Sequence, residues 1–151
     1  MDNVYGNNEI LVSRALVKVE GARYELDGTE IERIEVQSEG KVYGENGTIH
    51  VIYKETELTG MEGTTTILSV SDDMLEIKRS GNINSDLVFQ LGKQTTSMYD
   101  CDAGSMVMQV TTDKLLCTQD DEGIVIELEY SVIMNNSFLA KNALTVNVMY
   151  H

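Results

Sequence analysis

The sequence contains no proline and no tryptophan, and it has only two cysteines in 151 residues. The absence of proline disfavours proline-rich linkers and proline-punctuated loops. Cys101 and Cys117 are too few for a disulfide framework at this length, so we expect two free thiols in a reducing compartment. Because aromatic residues make up only 6% of the chain, Val, Ile, Leu and Met must fill any core.

The chain also lacks basic clusters and long apolar runs. Its first residues show no basic segment followed by an apolar one, as a secretory signal would require, and no run approaches the roughly 20 apolar residues of a membrane span. The net charge is −14, from 25 acidic and 11 basic residues, and should repel nucleic acids and anionic membranes. We therefore expect a cytoplasmic protein that binds neither. Its acidity serves solubility or, alternatively, the docking of a basic partner.

What the sequence does contain is apolar alternation with a period of two. Apolar and polar residues alternate over 124–132 and 75–79, and one buried and one exposed face is typical of antiparallel sheet. Turn signals separate these runs at short spacing. The strongest is Asn46-Gly47, which suits the type I′ turn of a two-residue hairpin because both central positions need positive φ. The pattern of residues 106–120 predicts either two short strands or one long strand with a bend.

These patterns predict an all-β fold, a single antiparallel meander β-barrel of about eight to ten strands. The barrel domain covers residues 11–151 and follows a flexible N-terminus at 1–10. A meander of this size closes naturally, since closure removes unpaired strand edges; a two-sheet sandwich is the competing architecture. A barrel with roughly eight strands has an interior that side chains just fill or that holds one small ligand.

The polar segment at residues 53–66 resembles part of a known protein family. Residues 53–66 (YKETELTGMEGTTT) resemble the signature of the YwiB-like family of small bacterial proteins, and further matches lie at 78–81, 87–89, 121–123 and 126–130. The resemblance extends from Leu16 to Val148. It implies a calycin-type, lipocalin-like β-barrel in the bacterial cytoplasm, and it implies no activity. The chain departs from typical lipocalins because it lacks the tryptophan of their first strand.

Arg79, in the matching stretch 78–81, is the most informative polar residue. It shares a strand face with Leu75 and Ile77, so it should point inward or lie at the rim, where an unpaired buried guanidinium would cost several kcal/mol. Among the nearest carboxylates we hypothesise that Glu57 is its partner. Arg79 either forms an ion pair that fixes one end of the barrel or anchors an acid or phosphate group of a ligand.

The candidate ligand-binding residues all have polar side chains and are expected near the same end of the predicted barrel as Arg79. They are Tyr53, Glu55, Glu57, Thr64, Thr66, Arg79 and Tyr99. The structural alternative is that the tyrosines bury their rings and hydrogen-bond at the tip, and that the threonines are strand formers. Gly60 and Gly63 are expected to serve turn geometry, because no phosphate-binding Gly-x-x-x-x-Gly-Lys pattern is present.

No catalytic or metal-binding pattern is apparent, and no cofactor is predicted. His50 is expected to face outward, and neither cysteine has a histidine partner close in sequence. Three function classes remain, with a non-catalytic binding barrel for a small apolar or acidic molecule ranked first. A filled barrel that acts through its acidic surface ranks second, and an isomerase-like enzyme that uses Glu57 and Tyr53 ranks third. A homodimer is compatible with all three.

Overall fold

The computed structural model describes residues 12–151, without the side chains of Val12 and Leu139. Its strands are β1 (Val12–Tyr24), β2 (Glu30–Glu45), β3 (Thr48–Lys54), β4 (Thr64–Ser71), β5 (Met74–Gly81), β6 (Asn84–Gln90), β7 (Gln94–Cys101), β8 (Gly104–Gln119), β9 (Gly123–Met134) and β10 (Ser137–Tyr150). A single 3₁₀ turn, Glu57–Thr59, lies between β3 and β4. No helix of the described part is long and apolar enough to cross a membrane. The flexible terminus predicted at 1–10 lies outside the described residues.

The ten strands form a closed antiparallel barrel. Each strand pairs with its neighbours in sequence, and β1 pairs with β10 from Ala15 opposite Tyr150 to Tyr24 opposite Lys141, which closes the sheet. No strand of this barrel leaves the meander order. The predicted up-and-down barrel is therefore confirmed, and the sandwich is not adopted. Closure leaves none of these strands as an outer edge of the sheet.

The turns follow the sequence signals. Asn46 and Gly47 both have positive φ, 51° and 80°, as a two-residue type I′ hairpin requires. Glu45 pairs directly with Thr48 across that turn. Residues 106–119 belong to one long strand, β8, and a bulge between Thr112 and Lys114 provides the bend, while residue 120 follows the strand.

Apolar side chains fill the middle of the barrel. In β4 buried and half-buried residues alternate without interruption, as the period of two predicts. Phe89 and Leu68 are almost completely buried, and the Phe89 ring packs on Tyr130 with centroids 4.8 Å apart. A Cβ on Gly123 would meet the backbone of Val148, so β9 and β10 approach closely there. The interior is thus packed at its centre and can hold a ligand only towards its ends.

Candidate functional site

Inward-facing polar side chains form a row across one end of the barrel. The strand register places Tyr53 of β3 opposite Thr66 of β4, and Thr66 opposite Arg79 of β5. Arg79 is opposite Ser85 of β6, and Ser85 is opposite Tyr99 of β7. Residues directly opposite each other on neighbouring strands have Cβ atoms about 4.5–5.5 Å apart. Register therefore brings together five side chains, here called the polar row, that are far apart in the chain.

Glu55 joins the polar row from the segment that follows β3. Its backbone amide donates to the Thr64 carbonyl at 2.9 Å, which continues the pairing of β3 and β4 by one residue. Its side chain is only 3% exposed, and its Oε2 accepts a hydrogen bond from Thr66 Oγ1 at 2.5 Å. The same Oε2 lies 3.9 Å from Arg79 Nε. A buried carboxylate and a buried guanidinium thus face each other at the barrel end.

The structure corrects the hypothesised partner of Arg79. Glu57 lies in the 3₁₀ turn with its side chain exposed, whereas Glu55 points inward and forms the ion pair. The physical reason is that the chain keeps strand-like pairing through Glu55 and turns away from the barrel only afterwards. Alternation from Tyr53 puts Glu55 on the inner face, and the 3₁₀ turn removes Glu57 from it.

The Arg79 guanidinium is held in place without being fully satisfied. Its side chain is 16% exposed, and Nε is buried without a hydrogen-bond acceptor among the described residues. At 3.9 Å the contact with Glu55 is electrostatic and too long for a hydrogen bond. Arginine carries five N–H donors, so an acceptor placed beside Arg79 would find unused donors.

A cavity of about 220 Å³ lies at this end of the barrel. Most of the wall is apolar and includes Val19, Ile34, Val36, Leu68, Ile77 and Leu144. Polar groups come from Tyr53, Glu55, Arg79 and Tyr130 and, in addition, from Arg23, Glu32, Thr59 and Asn142. Pockets for drug-sized ligands measure about 300–1,000 Å³. This cavity is therefore suited to a smaller molecule with one polar end.

The tyrosines of the cavity stay protonated at neutral pH. Burial raises the pKa of Tyr53, the negative charge of Glu55 raises it further, and Arg79 opposes both effects. Burial also raises the pKa of Tyr130, against the influence of Arg79 and Arg23. A protonated phenol can donate a hydrogen bond. The Tyr53 hydroxyl already interacts with Glu55 and Thr66, so Tyr130 is the tyrosine that can offer its hydroxyl to a ligand.

Four of the candidate residues, Glu57, Thr64, Thr66 and Tyr99, do not line the cavity. Thr64 is buried, and its Oγ1 accepts a hydrogen bond from the backbone amide of Ile83 at 3.3 Å. Tyr99 belongs to the polar row but does not line the cavity. Gly63 allows close packing of its loop, because a Cβ there would meet the side chain of Asn82. The expectation that this glycine serves loop geometry is supported.

Sequence reasoning missed Ser85 and Tyr130 as members of the site. Ser85 lies in the second position of β6, close behind the short turn that connects β5 to β6. Tyr130 continues the inward set of Ile126 and Leu128, so its direction could be predicted but not its neighbours. Which strand ends meet depends on the register of all ten strands, and a single sequence does not display that register.

A second cavity of about 220 Å³ lies near the β4–β5 turn. Leu91, Leu115 and Cys117 contribute to its lining together with Asp72 and Asp73 of the turn. Burial raises the pKa of the Cys117 thiol, which keeps it protonated and weakly nucleophilic. This second cavity lacks a lining cation, so the cavity beside Arg79 is the better candidate for an anionic ligand.

Comparison with known proteins supports the fold. Residues 17–146 match the model of a family described as a domain of unknown function, DUF1934. The crystal structure of the YwiB protein from Bacillus subtilis superimposes with a TM-score of 0.79 at 21% sequence identity, covering 93% of each chain. No curated protein sequence matches the chain. The resemblance to YwiB-like proteins is thereby confirmed, and at this identity the structural likeness concerns the fold.

Proposed function

We propose, on the premise that the chain belongs to the DUF1934 family of unknown function, that it is a non-catalytic binding barrel. Its ligand is a small molecule with an acidic group and a short apolar body, held in the cavity beside Arg79. The observation that carries the proposal is the buried Arg79 Nε without an acceptor, on a residue that lines this cavity. The cytoplasmic location implied by the family resemblance is part of the same proposal.

The geometry favours an acidic group at the polar end of the ligand. Glu55 already receives a hydrogen bond from Thr66, and its charge orients the guanidinium without using the donors of Arg79. A carboxylate can accept two parallel hydrogen bonds from a guanidinium, the strongest arrangement for such a pair. The protonated Tyr130 hydroxyl lines the same cavity and could donate a further hydrogen bond.

The apolar part of the cavity wall determines the chemistry of the rest of the ligand, which should be apolar. Val36, Ile77 and Leu144 line the space beyond the polar end, where burial of each CH₂ group contributes about 0.8 kcal/mol. The packed centre around Phe89 limits how far a chain can enter. A short aliphatic acid fits both limits better than a long-chain fatty acid.

A filled barrel that acts through its surface is the second candidate. The packed centre favours it, and so do Met98 and Val107, which are 50% and 43% exposed and directly opposite each other on β7 and β8. The isomerase-like alternative is weaker. Tyr53 lines the cavity, but Glu57 does not.

Calorimetry with three ligands of equal length tests the proposal. We expect hexanoate to bind at least about tenfold more tightly than hexanol or hexylamine, because only the acid can pair with the guanidinium. Arg79→Met should abolish the preference. The matched control Arg33→Met removes an exposed cation and should leave binding unchanged.

A second variant protects the test against a fold defect. Leu144→Phe narrows the cavity without touching a charge and should weaken hexanoate binding, with circular dichroism confirming an intact sheet. Equal affinity for the three ligands would refute the anchor. No binding of any of them, together with no small molecule released from the purified protein in native mass spectrometry, would favour the filled barrel.

A further inference from the structure

Three basic side chains lie together on the outer face of the barrel wall. Arg14 of β1, Lys41 of β2 and Lys54 of β3 line one open groove. None of them forms an ion pair or a side-chain hydrogen bond with a described residue. In a chain with 25 acidic residues and a net charge of −14, three neighbouring cations without carboxylate partners need a reason.

The strand register makes this arrangement unfavourable for the isolated fold. Arg14 is directly opposite Lys41, and like charges directly opposite on neighbouring strands are destabilising. Lys41 is in turn opposite Ile52, and Ile52 is opposite Ile67 on β4. The outer surface therefore presents two half-buried isoleucines beside three cations that form no ion pair with a described residue. A structural role for these cations would require partners that the described residues do not supply.

The groove is large enough for a chain segment. It has a volume of about 900 Å³ and is also lined by Glu39, His151 and Thr65. Glu39 Oε2 lies 3.1 Å from His151 Nε2, so this carboxylate contacts the histidine and forms no ion pair with the three cations. Gly40 lies at the base, where a Cβ would come within 2.7 Å of the Ile52 carbonyl oxygen. That Cβ would also meet Val17 and Tyr53, so the absence of a side chain at Gly40 allows β2 and β3 to approach closely.

We propose that this basic groove docks an acidic, amphipathic segment of a partner protein in an extended conformation. Carboxylates of the segment would pair with Arg14, Lys41 and Lys54, and an apolar residue on the same face of the extended segment would cover Ile52. Cations on neighbouring strands are spaced by about 4.5–8 Å. That spacing suits carboxylates at alternate positions of an extended chain, which rises about 3.3 Å per residue.

The chemistry favours a polypeptide over other anions. Nucleic acid carries no apolar group for Ile52 and would be repelled by the acidic remainder of the protein. A single inorganic anion would engage only part of a groove of this size. The proposal is independent of the end cavity, because the side chains of Arg14, Lys41 and Lys54 project from the outer face of the sheet.

Fluorescence anisotropy tests the groove with a labelled decapeptide in which every second residue is Ser and the residues between are Glu or Leu, so that Glu and Leu point to one face of the extended chain. The double variant R14Q/K41Q should weaken binding by at least about tenfold. The matched control K93Q/K141Q removes the same charge from two exposed cations that form no ion pair with a described residue, and it should change affinity less than about twofold. Binding should weaken with salt, because the cations are exposed.

Each other outcome contradicts the proposal. Equal weakening by both double variants would mean attraction by net charge alone, and equal binding of the same peptide with Gln in place of every Glu would mean that carboxylates are not recognised. Full competition by a short oligonucleotide would indicate a general polyanion surface. The melting temperature of R14Q/K41Q should stay the same or rise. If it falls, K54Q replaces it as the test variant, and unchanged binding by a folded K54Q would overturn the proposal.

Discussion

The ion pair between Arg79 and Glu55 should be detectable as an energetic coupling. Its atoms lie 3.9 Å apart, so at an effective dielectric constant of about 20 the gross attraction is about 4 kcal/mol. Desolvation of two buried groups offsets much of this attraction. Removing one partner leaves the other charge buried and uncompensated, which costs about 3–5 kcal/mol.

A double-mutant cycle in urea measures the net coupling. Arg79→Met and Glu55→Gln should each lower the free energy of unfolding, and the double variant should lose about 2 kcal/mol less than their sum. Glu57→Gln should show no coupling to Arg79→Met, because Glu57 is exposed on the 3₁₀ turn. That comparison separates the observed partner from the one hypothesised from sequence.

The exposed pair of Arg33 and Glu30 provides the control cycle. These side chains approach to 2.7 Å but are 59% and 45% exposed, so solvent should screen their coupling to within the error of the measurement. Additivity of Arg79→Met and Glu55→Gln to within about 0.3 kcal/mol would refute the reasoning. The pair would then be a contact without energetic consequence, and Glu55 could not be said to orient the anchor.

Three further predictions concern packing and titration. Gly123→Ala should destabilise the barrel by more than about 1 kcal/mol because its Cβ meets backbone, whereas Gly21→Ala, whose nearest atom would be 3.5 Å away, should be tolerated in the same thermal melt. A hydrogen bond with Asp86 and, second, burial raise the pKa of Glu76 above its ordinary 4.5. Glu76 therefore stays protonated to a higher pH in the folded state than in the unfolded state, and the free energy of unfolding should fall as pH rises through the raised pKa. In urea titrations at several pH values, Glu76→Gln should flatten that decline. The raised pKa of Tyr53 means that stability should fall above about pH 10, where the unfolded phenol ionises first; Tyr53→Phe should reduce that loss and remove the last step of an absorbance titration.

The sequence predicted the barrel because its evidence is local. Alternation marks each strand, and Asn46-Gly47 marks a hairpin through backbone conformations that few other residues adopt. The inward direction of Arg79 followed from Leu75 and Ile77 on the same face. The partner of Arg79 could not be predicted from the sequence, because the choice between Glu55 and Glu57 depends on where β3 ends. Alternation gives both residues the same face, and only the 3₁₀ turn separates them.

The position of the end cavity depends on pairings that are non-local. Its lining combines Val19 of β1, Tyr53 of β3 and Leu144 of β10, and no short window contains such a set. The cations Arg14 and Lys41 illustrate the same limit on the outer face. They are separated by a hairpin in sequence and lie directly opposite each other in the sheet. Their clash of charge is invisible until the register of β1 and β2 is known.

Register therefore connects the turns of this barrel to its candidate sites. A slip of one residue between β4 and β5 would turn Arg79 to the solvent, because successive side chains of a strand face opposite sides. Close packing opposes such a slip at the end of the β4–β5 pair that lies away from their connecting turn. A Cβ on Gly81 would meet the backbone of Gly63 there. Asn82 reinforces the contact, since its Nδ2 donates to the Glu62 carbonyl at 2.9 Å. Gly63 and Gly81 thus act at a distance, by fixing the strand alignment that places Arg79 beside Glu55.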